Sequence, residues 1–92
     1  MTKGKERAVI TVVGQDQVGI LAKVATSCAS ATANIVDVTQ SVLDGFFCMV
    51  MIVDIAEATQ DLDGLQKAIL QEIPAMQVRV MHENIFNSMH QI

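Results

Sequence analysis

The spacing of hydrophobic positions changes from segment to segment along the chain, and each change marks an element. Ala8-Val9-Ile10-Thr11-Val12-Val13 is a β-branched run closed by Gly14, which predicts a first strand. Behind the turn Gly14-Gln15-Asp16-Gln17, apolar residues recur at Leu21, Val24, Ala25, Cys28 and Ala29. That is the stripe of an amphipathic helix, with Asp16 placed to cap it and the Ala-rich sequence running out near Asn34. From Ile35 to Leu43, β-branched residues alternate with Asp37, Thr39, Gln40 and Ser41, and Asp44-Gly45 separates this segment from the apolar run Phe46 to Asp54. Asp-Gly between two strand-like runs predicts a hairpin. A second helix fits Leu62, Leu65, Ile69 and Ile73, behind Thr59 or Asp61 as cap and stopped by Pro74. Met76 to Glu83 then alternates as a half-buried strand, and Asn84 to Ile92 sets Ile85, Phe86, Met89 and Ile92 at helical spacing.

The order is β-α-β-β-α-β. Both crossovers must be right-handed, so both helices land on the same face of one sheet. The expected fold is a ferredoxin-like α/β sandwich of the α+β kind: a four-stranded antiparallel sheet with two helices on one face. Residues 1–92 read as one domain, with a polar start at 1–7, a core over 8–83 and a short helical tail at 84–92. The helix-free face then becomes an issue. Phe46 to Val53 is apolar at even and odd positions alike, and Val9 and Val13 are apolar opposite Ile10 and Val12. Either a protein partner, most simply a second copy in a homodimer or higher homo-oligomer, covers that face or the sheet edge, or the tail helix folds back over it.

Composition narrows the function. The chain has 92 residues, 51% hydrophobic and 17% charged, which is the balance of one folded domain. Ten acidic against six basic residues give a net charge of −4, and the aromatic residues are Phe46, Phe47 and Phe86 alone. A direct nucleic-acid role is therefore not expected. The longest apolar run, Phe46 to Val53, falls far short of the roughly 20 residues of a membrane-spanning helix. Cys28 and Cys48 have no metal-type spacing and the start MTKGKERA carries no apolar leader core, so a cytoplasmic protein is expected.

The segment Gly14 to Leu21 carries the candidate chemistry. A strand ending in glycine feeds a helix whose first turn holds a second glycine, and helix N-termini offer unpaired N–H groups and partial positive charge to an anion such as a carboxylate. The bland alternative is that Gly14 serves the turn and Gly19 makes room for a neighbouring strand. Other groups point less clearly to a function. His82-Glu83 and His90 lack a spacing that enforces metal convergence, and read as surface residues. Cys28 and Cys48 read as buried structural thiols, and Met49, Met51, Met76 and Met81 as core and interface filler. Glu57, Asp61 and Asp63 read as solvated charges at a helix start. With no nucleophile–base pair and no phosphate loop, no catalytic residue, metal or cofactor is expected, and the chain is not expected to be an enzyme.

The pattern Gly14-x-Asp16-x-x-Gly19-Ile20-Leu21 after a strand, the Ala-rich helix, Asn34-Ile35 opening the second strand, and the βαββαβ order together resemble the ACT domain. ACT domains are small regulatory modules of amino-acid metabolism. The resemblance covers residues 8–83 and is nearest to stand-alone ACT proteins of the glycine-cleavage-repressor type, including the Asp44-Gly45-Phe46-Phe47 hairpin and the tail Ile85-Phe86-Asn87-x-Met89-His90. It implies dimers and an amino-acid effector bound in the loop between the first strand and helix, by Gln15, Asp16, Gln17, Val18, Gly19 and Ile20, with Asn34 as a polar neighbour. Val18 stands where many amino-acid-binding members carry proline. The resemblance implies a sensor acting in trans on an unidentified protein target; the alternative is a constitutive protein–protein adaptor of the same fold with no ligand.

Overall fold

The computed structural model describes residues 6–89; Lys3, Lys5, His90 and Ile92 lie outside the described residues, as does most of the expected polar start. Four strands form one sheet: β1 (Arg7–Gln15), β2 (Asn34–Leu43), β3 (Phe46–Asp54) and β4 (Gln77–His82). Their spatial order is β2-β3-β1-β4, and every neighbouring pair is antiparallel. Helices α1 (Ile20–Ser30) and α2 (Leu62–Glu72) connect them, and α3 (Glu83–Met89) follows β4. This is the ferredoxin-like arrangement that the element order predicts.

The core lies between the sheet and the two crossover helices. Ala8, Ile10 and Val12 of β1 face it beside Met49, Met51 and Val53 of β3, and Ile20, Val24, Cys28, Leu65 and Ile69 pack down from the helices. Successive strand side chains point to opposite faces, so Val9, Thr11 and Val13 join Cys48, Val50 and Ile52 on the other side. There Val9 is only 1% exposed, because α3 packs back onto β1 and β4. The tail thus covers one half of the open face. The β2–β3 half stays uncovered, with Phe46 59% and Leu43 77% exposed.

Local rules explain the element ends. Asp44 (φ 53°) and Gly45 (φ 83°) both take positive φ, the backbone of a tight hairpin turn. Asp61 caps α2, its carboxylate accepting from the Gly64 N–H at 2.7 Å. The first helix stops at Ser30 rather than near Asn34, because Thr32 swings to φ 58° and the Ala33 N–H donates back to the Cys28 carbonyl at 2.8 Å. In β2, the pairing with β3 slips between Ile35 and Asp37, leaving Val36 as the extra residue of a bulge.

Candidate functional site

The loop between β1 and α1 is held from two sides. Gln15 ends β1 opposite Phe46. The next residue, Asp16, donates its backbone N–H to the Gly45 carbonyl at 2.9 Å, which ties the loop to the hairpin tip. Gln17 donates from Nε2 to the Met76 sulfur at 3.8 Å. Val18 projects fully into solvent at 96% exposure, whereas Ile20 is buried in the core and anchors the start of the helix.

Gly19 is the residue on which the loop turns. It occupies the N-cap of α1 with φ 84° and ψ 13°, a left-handed backbone that costs other residues about 1–2 kcal/mol. A Cβ there would meet nothing within 4 Å, so the glycine is required by backbone conformation and not by a close neighbour. Gly14 is the reverse case: a Cβ there would come within 2.8 Å of the Met76 sulfur. The roles expected of the two glycines in the bland alternative are exchanged.

Asp16 does not cap the helix. The cap is Gly19, which has no side chain to offer, so the first N–H groups of the 11-residue helix have no side-chain acceptor, and no acidic residue lies in its first turn. The Gly19 carbonyl closes the turn by accepting from the Lys23 N–H at 3.0 Å. An uncapped helix start carries roughly half a positive charge, and here it sits at the surface beside the exposed Asp16, Gln17 and Val18.

Asn34 does not join this group in the chain. It opens β2 opposite Asp54, which in turn pairs with Arg7 at the start of β1. The nine residues of β1 separate that end from Gln15, about 27 Å at 3.4 Å per step. The order of elements already contains this result: α1 carries the chain back to the end where β1 began. The hairpin tip at Gly45 and Met76 beneath the loop are the partners that the sequence reading missed. Met76 lies 59 positions from Gln17, and no local spacing signals the contact.

The remaining candidates have structural partners. His82 Nε2 lies 2.9 Å from the Glu6 carboxylate, and Arg7 Nε donates to Glu83 at 3.0 Å. The hydrogen bond from Arg7 holds the Glu83 carboxyl below the ordinary glutamate range. Cys28 is buried, and burial pushes its thiol up to about 11. Cys48 corrects the expectation of a second buried thiol: it pairs with Val13 on the open face and is exposed, because the residues of β3 that face the core are its odd-numbered neighbours. Met49, Met51 and Met76 are core residues, and Met81 is half-buried on the open face.

Residues 6–83 match the family model described as ACT domain. A UPF0237 protein of Listeria innocua is 41% identical over 88 residues, which span 94% of this chain and 99% of the relative. Among solved structures, an ACT domain protein from Streptococcus pneumoniae superposes with a TM-score of 0.73 at 34% identity, covering 90% of this chain and 96% of the other. A candidate glycine cleavage system transcriptional repressor shares the fold, with a TM-score of 0.61 at 19% identity over 85% of this chain and 46% of its own. Among the described residues, no helix is long and apolar enough to cross a membrane.

Proposed function

Because this chain belongs to the ACT domain family, whose members are regulatory domains, we propose that it is a cytoplasmic amino-acid sensor. It works as a homodimer that binds its effector at the β1–α1 loop and acts in trans on another protein. The uncapped start of α1 is the observation that carries this reading. Its N–H groups around Val18, Gly19 and Ile20, with no side-chain cap, suit the effector's carboxylate, and Asp16 stands at the same surface for the ammonium. Gln15 and Gln17 line the approach.

The dimer reading rests on the two sheet edges, which differ. At β4, Gln66 Oε1 accepts from the Val80 N–H at 2.8 Å and so occupies a group that an incoming strand would use. β2 is ten residues long, holds no lysine, arginine or proline, and is exposed along almost its whole length, which is the profile of a pairing edge. Antiparallel pairing of two β2 strands about an axis between Val38 and Thr39 sets Asn34 of the partner subunit beside Leu43. That position adjoins the hairpin to which Asp16 is tied. Asn34 of the partner subunit then stands at the hairpin end of the sheet, three strand spacings or about 14 Å from β1, on the loop's side of the molecule.

Because a ligand shifts an equilibrium only through its differential affinity for two states, the output is a change in dimer geometry or in affinity for the target. The experiment is to compare wild type, Gly19→Leu and Asn34→Ala by sedimentation and by amino-acid binding calorimetry. The sensor reading expects Gly19→Leu to stay dimeric while losing effector binding, and Asn34→Ala to weaken it. Unchanged partner capture by a folded Gly19→Leu protein that never bound an amino acid would favour the adaptor, whose surface would be the exposed Leu43 and Phe46.

A further inference from the structure

The face of the sheet opposite the core carries a second feature, apart from the loop. Between the sheet and α3 lies a groove of about 790 Å³, within the range of small-molecule sites. Its floor includes Val13 and Val50 from the sheet, and Ile85 and Met89 of α3 form one wall. Of the described residues that line it, Arg79 alone is charged, in a chain whose net charge is −4. Among the described residues no carboxylate pairs with Arg79, in contrast to Arg7, which holds Glu83, and Lys67, which meets Asp63 at 3.2 Å. Thr11, directly opposite Arg79 in the β1–β4 ladder, sets a hydroxyl-bearing side chain beside it.

We infer that this groove binds a small organic monocarboxylate with an apolar body, its carboxylate on Arg79 and its hydrocarbon along Val13, Val50 and the inner side of α3. Guanidinium is the group best matched to a carboxylate, and the apolar walls beside the exposed Arg79 give the hydrocarbon a surface to cover. A second copy packed face to face does not meet the need. A two-fold interface presents the same patch from both sides, and the described residues of this patch offer Arg79 no acid. A zwitterionic amino acid is also a poor fit, because its ammonium would find no acidic partner among the described lining residues. The two sites therefore select different ligands.

Octanoate, kept well below micelle-forming concentrations, is the probe, with octylammonium and leucine as controls. Titration calorimetry on the full chain should show one octanoate per chain and no octylammonium binding. Bound octanoate should slow alkylation of the exposed Cys48, which lines the same groove, whereas an amino acid at the loop should leave that rate unchanged. Arg79→Met should weaken octanoate binding about tenfold or more, the worth of a charge-assisted hydrogen bond. Thr11→Glu supplies an internal carboxylate across the ladder and should abolish binding, with thermal melts reporting that both variants fold. Equal binding of octylammonium, undiminished binding by folded Arg79→Met, or the absence of both heat and Cys48 protection overturns the inference. So does protection of Cys48 without ligand that disappears on dilution, which would place a second copy on this face.

Discussion

Arg7, the first residue of β1, donates to the carboxylate of Glu83, the first residue of α3, across 76 positions of sequence. The pair fastens the tail helix to the sheet at the point where the tail turns onto the open face. Because the hydrogen bond from Arg7 lowers the Glu83 pKa, the fastening contributes fully above the ordinary glutamate value near about 4.3. It is lost as pH falls through the lowered folded value. The protection of the α3 amides, measured against their intrinsic exchange rates, should fall over that acid range in wild type. Glu83→Gln should show fast exchange already at neutral pH, and pH-independent protection of α3 would contradict the assignment.

The two helix starts differ in what caps them, and substitution should separate them. Asp61→Ala removes the acceptor of the Gly64 N–H and should cost about 1 kcal/mol, lowering the melting temperature by roughly 4–8 °C. Asp16→Ala, whose side chain caps nothing, should leave the melting temperature near that of wild type. Equal losses in the two variants would show that Asp16 caps α1 in solution.

That contrast marks what the sequence disclosed and what it withheld. The Asp44-Gly45 turn and the Asp61 cap are local devices, and the residues that make them are neighbours in the chain. Hydrophobic periodicity placed the strands for the same reason. Asp16 misled because the left-handed turn at Gly19 delays the helix by three residues, and a glycine does not announce the sign of its φ. Cys48 lay in a run that is apolar at every position, so period-2 alternation could not say which side faced the helices. The Arg7–Glu83 pair and Met76 under the loop depend on tertiary distance alone.

Thr32 holds φ 58° just beyond α1, a conformation that a β-branched residue adopts at a cost. Thr32→Gly should raise stability by about 0.5–1 kcal/mol, read as an upward shift of the denaturant midpoint at unchanged slope. A fall in the midpoint would mean that the threonine side chain contributes more than its backbone strain costs.

The two thiols should react very differently. Cys48 is exposed and should be modified by a disulfide reagent in the native protein. Cys28, buried and pushed up to about 11, should react only as the protein unfolds. Native titration should therefore count one thiol and denatured titration two; two fast thiols in the native state would place α1 away from the sheet.

The central claim is that the β1–α1 loop binds an amino acid, and scanning calorimetry of the protein against a panel of free amino acids tests it most directly. An effector at 100 times its dissociation constant adds about 2.7 kcal/mol, which raises the melting temperature of a domain this size by roughly ten degrees or more. The account predicts such a shift for one amino acid in wild type and its loss in folded Gly19→Leu. A panel that leaves the transition of a folded, dimeric protein unmoved would contradict it.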